Sequence, residues 1–342
     1  MEGAPAPPSP APSGQCDGAG KQIGRATWLR DLARASLRGS ATLLGLLIVV
    51  FAAVRAAPGD PVDHLLGDHA TLSERAALRR QLHLDGTIAE QFVAMLGDIA
   101  DGSLGTTKLG GKLQPVRSLI ADRVPSTAAL ALAAVLVALL IALPLGIVAA
   151  LRPGGAGDQV ARLSSLLAVS TPAFVSGPLA LFGFAVVLRW APTPAHPAHP
   201  LAALVVPALV IGWALSGRLA RLLRASLLEV LSSDLVLALR ARGVPTGRLI
   251  WLHALPNAAL PVLTVMGLQL AALLGGALVT EKVFGRSGLG SLLLEAIAAR
   301  DHAVVQGCVL AIGAVYLLVT GAVDALAAWM DPRLRAGSAV GQ

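Results

Sequence analysis

Several groups of residues in this 342-residue chain have types and spacings that could do chemistry. Gly18-Ala19-Gly20-Lys21 touches the phosphate-loop pattern, in which backbone amides and a lysine cradle phosphates. That pattern asks for Gly at 15 and Ser or Thr at 22, where this chain has Gln15 and Gln22. No nucleotide is expected to bind there. Gly285-Arg286-Ser287-Gly288, with His302 nearby, could present a serine nucleophile to a histidine base. Such a serine must sit at a helix start inside the membrane, whereas Glu281, Lys282 and Arg286 place this one in a polar connection. An ordinary Gly-rich turn is the expectation. His196 and His199, and the pair His64 and His69 beside Asp63 and Asp68, carry metal-ligand types. Prolines on both sides of 196–199 read as a stiff extended link, and no metal and no cofactor is predicted. Cys16 and Cys308 match no metal spacing and frame no disulfide scaffold. Asp324 lies in an apolar segment, where an acid pairs, lines a cavity or snorkels from a helix end; its position leaves these open.

Composition explains why catalytic groups are scarce. The chain is 55% hydrophobic and 14% charged, and only 4% aromatic, with a mean hydropathy of +0.71. Soluble domains carry about 25% charge, so a soluble, disordered or disulfide-framed protein is excluded. Six windows lack Asp, Glu, Lys and Arg: 39–54, 124–151, 163–188, 190–217, 249–280 and 302–323. A spanning helix needs about 20 apolar residues. The expected spans are 39–57, 127–150, 163–188, 201–220, 255–279 and 305–329, an all-α integral membrane protein.

Charge orients the spans. Residues 1–38, 152–162, 218–248 and 333–335 hold fifteen Lys and Arg, against four (Arg189, Lys282, Arg286, Arg300) in the short connections on the other side. The segment 58–123 is too long to orient anything. Positive residues stay inside, which predicts N-terminus in and C-terminus in. Residues 1–38 read as a disordered basic cytoplasmic tail, with 336–342 a second tail. A cleaved signal peptide would need a shorter polar start than this one. The extracytoplasmic segment 58–123 is expected to form short helices, one opened by a Thr71/Glu74 capping box. The membrane core then runs 124–335. The net charge of +7 falls on the cytoplasmic side, so it signals orientation and docking, and no nucleic-acid partner is expected.

The loop 218–257 is the most informative stretch. Arg218, Arg221 and Arg224 form one basic helix face. Ser232-Ser233-Asp234 reads as a helix N-cap, followed by the apolar run Leu235 through Leu239, then Arg240 and Arg242. Gly243 is a natural left-handed stop. His253-Ala-Leu255-Pro256 then leads back into the membrane. A short stiff helix between two spans is what a soluble partner could push.

Gly243, nine residues, then His-Ala-Leu-Pro resembles the second half of the "EAA" loop of ATP-binding-cassette importer permeases, G-x9-I-x-L-P. Over 39–335 the chain resembles the dipeptide/oligopeptide/nickel permease family. Arg55-Ala-Ala-Pro-Gly-Asp-Pro61, Gly102-Ser-Leu-Gly-Thr-Thr107 and His253 through Pro261 resemble its motifs in order. So do Glu281-Lys-Val-Phe-Gly-Arg-Ser-Gly-Leu-Gly290 and Asp324 through Asp331-Pro-Arg-Leu-Arg335. Leu235 and Leu237-Ala-Leu239 stand where the family has an aromatic and then Arg-Thr-Ala, and Ser287 replaces a Pro. The resemblance implies a multi-pass subunit of the bacterial inner membrane. It further implies a second permease subunit, two ATP-binding subunits that perform hydrolysis, and an extracytoplasmic solute-binding protein, all in a lipid bilayer. Peptide is the implied substrate, with nickel in the family's range. Asp234, Leu235, Leu239, Arg240, Arg242, Gly243, His253, Leu255 and Pro256 are implied to couple to the ATPase. Gly275, Gly276 and Asp324 are candidates for the pathway or for close helix packing. An ion-coupled secondary transporter is the alternative; it predicts several buried ionisable groups, yet Asp324 is the one acid within the expected spans.

Overall fold

The computed structural model describes residues 17–56, 62, 71–81, 85–109, 111–190, 202–275 and 277–330. The four loop histidines, Cys16, Gly276, the motif residues after Ala56 and the closing Asp331–Arg335 motif lie outside the described residues. The chain divides into two units, residues 1–45 and 46–342. Helix α1 spans Asp17–Ala56, so residues 17–38, expected to be a disordered tail, are helical. No proline falls between Pro12 and Pro58, and nothing else in that stretch forbids a helix.

Among the described residues, five helices are long and apolar enough to cross a membrane: Leu37–Ala56 of α1, Val116–Leu151, Ala202–Leu231, Thr246–Leu274 and His302–Ala327. The third expected span, 163–188, is not one straight helix. Helix α5 (Ala156–Ser170) and helix α6 (Ala173–Leu181), which runs on through a π-helical turn at Phe182–Val187, meet at 101°. Pro172 is the cause, since the residue before a proline is driven out of the helical region. Thr171 accordingly sits at φ −94°, ψ 110°. Counted as one broken span, the pair brings the total to six.

Helix α4 (Val116–Leu151) begins earlier than its charge-free window. At 36 residues it is about 54 Å long, well beyond the roughly 30 Å hydrocarbon layer. Helix α7 (Ala202–Leu231) likewise runs eleven residues past the expected 220. These two long helices are the centre of the molecule. Gly212 of α7 lets the helices touch: a Cβ there would lie 2.8 Å from the Ala134 carbonyl oxygen and 2.6 Å from Val137. Close backbone approach through small residues is how helices associate when lipid is as apolar as leucine. Helix α13 (His302–Met330) packs along the apolar helix Leu255–Leu274.

The segment before α4 holds α2 (Leu72–Gln81), α3 (Ile88–Ala100) and a two-stranded antiparallel ribbon, β1 (Thr106–Thr107) with β2 (Gln114–Pro115). The expected Thr71/Glu74 capping box is present, with the Thr71 N–H donating to Glu74 Oε2 at 2.8 Å. A second, Thr87/Glu90, opens α3. Among its described residues the segment packs on the neighbouring helices. Met95 packs with Leu47 and Phe51 from the end of α1, Phe92 stacks edge-on to Phe51 at 5.0 Å, and Arg55 lies over the Phe51 ring while its Nε donates to Gln91. Thr87→Ala should weaken the first turn of α3 by about 1 kcal/mol, seen as faster amide exchange at Glu90 and Gln91 with the rest of the protein unchanged.

Candidate functional site

Helix α7 ends at Leu231, and the chain turns through Ser232 and Ser233 into helix α8 (Asp234–Ala241). Ser233 occupies the N-cap with extended backbone, but no side chain caps the helix. The two hydroxyls donate backwards instead, Ser232 to the Glu229 carbonyl at 2.8 Å and Ser233 to the Val230 carbonyl at 2.6 Å. They tie the turn to α7 rather than to α8, so the helix starts at the expected Ser-Ser-Asp but without a side-chain cap. Serine hydroxyls commonly choose such backward bonds at a helix end.

The far end of α8 follows the expected chemistry. Gly243 has φ +75°, a left-handed conformation that a Cβ disfavours. Its N–H donates to the Arg240 carbonyl and the Val244 N–H to the Leu239 carbonyl, the paired bonds of a Schellman stop. Helix α9 (Thr246–Arg248) then passes through a π-helical turn at Leu249–Ala254 into α10 (Leu255–Leu274), with Pro256 in its first turn. Proline has no N–H to give and crowds the preceding turn, so the widened turn falls where the helix must accommodate it. Asn257 Nδ2 donates to the His253 carbonyl at 2.6 Å, holding that turn.

Along α8 the side chains divide by face. Val236 is 1% exposed and packs with Leu223 and Leu227 of α7 and with Leu249 and Ala254. Leu239 and Leu255 are half-buried against the same cluster. Leu235 and Leu237 are 55% and 67% exposed, and Asp234, Arg240 and Arg242 are exposed too. Val236 is the anchor that sequence reading missed; in a run of five apolar residues nothing local distinguishes the buried one. His253 is half-buried beside exposed Trp251 and Leu252.

The basic face of α7 is not uniform either. Arg218 and Arg221 are exposed, whereas Arg224 forms a two-pronged ion pair with Asp158 of α5, Nε to Oδ1 at 2.7 Å and Nη2 to Oδ2 at 2.9 Å.

A second polar cluster lies in the connection between α10 and α13. Glu281, placed by the sequence in a polar connection, is fully buried in helix α11 (Leu278–Val283). The Thr127 hydroxyl of α4 donates to its Oε1 at 2.6 Å and the Ser291 N–H to its Oε2 at 3.0 Å. Thr127 also accepts from the Leu289 N–H at 2.8 Å. Leu289 and Ser291 open helix α12 (Leu289–Ala298), whose first N–H groups have no partner within the helix. Glu281 and Thr127 together cap it from outside, and the helix dipole favours the carboxylate there. A Cβ at Gly288 would lie 2.2 Å from Glu281 Oε1, which explains the Gly-Leu-Gly that follows. Arg286 Nη2 donates to Ser126, and Ser287 is exposed. Next to this cluster, Thr107 of β1 donates to buried Asp301, which also accepts from the Val304 N–H as the cap of α13. Burial pushes the Asp301 carboxyl above its ordinary range, and these bonds oppose the shift.

Gly275 ends α10 against α13: a Cβ there would lie 3.3 Å from Ile312. Asp324 is exposed on α13. Among the described residues no three His, Cys, Asp or Glu side chains converge as a metal site would need.

Residues 142–336 match the sequence family described as binding-protein-dependent transport system inner membrane component. Among curated proteins, one of Brucella ovis named as a peptide permease is 37% identical over 87% of this chain and 97% of its own length. A glutathione transport system permease protein of Salmonella choleraesuis is 36% identical over 86% of this chain and 95% of its own. Among solved structures, the MetNI methionine ABC transporter in an inward-facing form superposes with a TM-score of 0.51 at 23% identity, over 64% of this chain and 98% of that one. This last likeness concerns the fold.

Proposed function

Because the chain belongs to the family of inner membrane components of binding-protein-dependent transport systems, we propose that its 218–257 hairpin is the surface through which an ATP-hydrolysing partner moves the membrane helices. The chain is a permease subunit of an ABC importer in the bacterial inner membrane, a transporter component rather than an enzyme. In our reading the six-span count takes the bent α5–α6 pair as one span, and both termini face the cytoplasm. The support is the fifteen-to-four distribution of Lys and Arg, since cytoplasmic loops carry the positive excess. Loop 218–257 is then cytoplasmic and 58–123 extracytoplasmic.

The observation that carries the coupling role is the split face of α8. Val236 is locked into the core while Leu235 and Leu237 project from it. Exposed leucines on a rigidly held helix suit an apolar groove on a partner, and Arg240 and Arg242 add charge at the rim. Two ATP-binding subunits, a second permease subunit that is a paralogue or a second copy, and an extracytoplasmic solute-binding protein complete the proposed assembly. Peptide-class solutes, glutathione included, are the proposed cargo, because the relatives at 37% and 36% identity carry those names. No described feature favours nickel.

Gly243→Val tests the coupling surface. A branched residue in the left-handed region costs about 1–2 kcal/mol, so α8 loses its stop and co-purification with the ATPase should fall roughly tenfold while membrane insertion is unchanged. Wild-type co-purification together with wild-type uptake would overturn the assignment.

A further inference from the structure

The hydrogen bonds around Asp158 do more than neutralise a charge. Its side chain is 0% exposed, at the start of α5. Five donors converge on its two oxygens: Arg224 through Nε and Nη2, Arg162 through Nε at 3.3 Å and Nη2 at 3.2 Å, and the Gly154 N–H at 2.9 Å. Arg162 is the more exposed partner, at 57%, and lies on the same helix as Asp158; Arg224, at 22%, comes from α7. The pair therefore fastens one helix to another, and the planar guanidinium fixes the geometry at both oxygens.

A second contact joins the same two helices. At Gly217 of α7 a Cβ would lie 2.8 Å from the Ser165 carbonyl oxygen and 3.0 Å from Ala168. Ser165 is seven residues after Asp158, and Gly217 seven before Arg224. The helices thus run antiparallel, joined at two points about 10 Å apart. Apolar contact alone permits packed helices to slide by small shear motions. A two-pronged ion pair resists sliding along the axis and can pull as well as push.

The ends of this unit face different neighbours. Arg224 sits between Leu223 and Leu227, which pack on Val236 of α8. At the other end α5 turns by 101° into α6, and α6 lies against α11, with Gly177 open to Val283 and Phe284. Helix α11 carries Glu281, which caps α12.

We propose that Asp158 and Arg224 are positioning residues that make α5 move as one body with α7, so that displacement of α8 reaches the bent α5–α6 element. The proposal takes its input from the coupling reading of α8. Without the clamp, α7 would shift while α5 lagged behind, and ATP hydrolysis would proceed with less transport.

The test uses the full importer complex in lipid, with spin labels at exposed Val205 on α7 and exposed Leu166 on α5. In the otherwise wild-type protein the distance between the labels should stay the same in nucleotide-free and ATP-trapped states. A change beyond the spread of the label would overturn the proposal without any substitution in the clamp. D158N should let the distance change and lower substrate transported per ATP by about tenfold, the size of a typical coupling term. R224K, which keeps the charge and loses the fork, should fall between, and R162A should behave as wild type. An unchanged distance and unchanged transport per ATP in D158N would also overturn the proposal. The readouts separate the two ideas. Loss of the coupling reading appears as normal ATPase co-purification and uptake in G243V, whereas loss of the clamp appears in the label distance.

Discussion

Replacing Glu281 with alanine is expected to destabilise the protein by about 3–5 kcal/mol and to abolish uptake. Two stranded hydrogen-bond donors, each costing about 1–3 kcal/mol when left unsatisfied, account for most of this loss, and the cavity left by the side chain adds to it. Those donors are the Thr127 hydroxyl and the Ser291 N–H. The second belongs to the first turn of α12, where no other group in the helix can accept it. Loss of the carboxylate also removes one of the ties between α4 and the α11–α12 hairpin, leaving those from Leu289 to Thr127 and from Arg286 to Ser126. Glu281→Gln keeps one acceptor oxygen but turns an NH2 toward the other donor, so it should cost about half as much. Thermal unfolding of the purified protein, with uptake measured in parallel, checks both. A wild-type melting temperature for the alanine variant would show that this carboxylate does not hold α12.

Gly267→Val should have the next largest effect, about 3 kcal/mol, at the upper end of overpacking costs. A Cβ on Gly267 of α10 would lie 2.2 Å from Val323 Cγ2, 2.7 Å from Cγ1 and 2.9 Å from Cβ of α13. Val323 cannot rotate away, because a valine in a helix has one strongly preferred rotamer. The two helices would have to separate at their crossing. Gly275→Ala, where the nearest side-chain atom is Ile312 Cγ2 at 3.3 Å, should cost much less. A further check is the pair Gly267→Ala with Val323→Ala, which removes both methyls in the way and should recover most of the stability lost in Gly267→Ala alone. Equal stability of Gly267→Val and wild type would place the α10–α13 crossing elsewhere.

The contrast between Gly267 and Gly275 shows where reading the residues alone stops. The doublet Gly275-Gly276 is conspicuous in sequence, and Gly267 is a single glycine in an apolar helix. Which glycine faces a neighbour depends on helix rotation and crossing point, and neither is encoded within ten residues of it. The same reasoning applies to Glu281. Its neighbours Lys282 and Arg286 make the connection look solvated, yet Glu281 answers to Thr127, which is 154 residues away in sequence. Arg224 belongs to an evenly spaced basic face that reads as one feature, and only the position of Asp158 separates it from exposed Arg218 and Arg221. Helical residues 17–38 and the bend at Thr171 are different cases. Pro172 is visible in the sequence, but the charge-free window 163–188 around it reads as one continuous span, and the basic, Pro/Ala/Gly-rich start of the chain makes 17–38 read as a tail.

By itself the sequence determined the class of protein, the apolar segments, the Thr71/Glu74 cap, the left-handed stop at Gly243 and the family resemblance. These rest on local properties: transfer free energy per residue, backbone freedom and motif spacing. The tertiary structure alone decided that Val236 anchors α8 while its neighbours project, that Asp158 joins α5 to α7, and that Glu281 caps a helix across the molecule. Each of these is a contact between segments far apart in the chain. The physical reason is that burial and hydrogen-bond satisfaction are properties of the assembled neighbourhood, which no window along the chain contains.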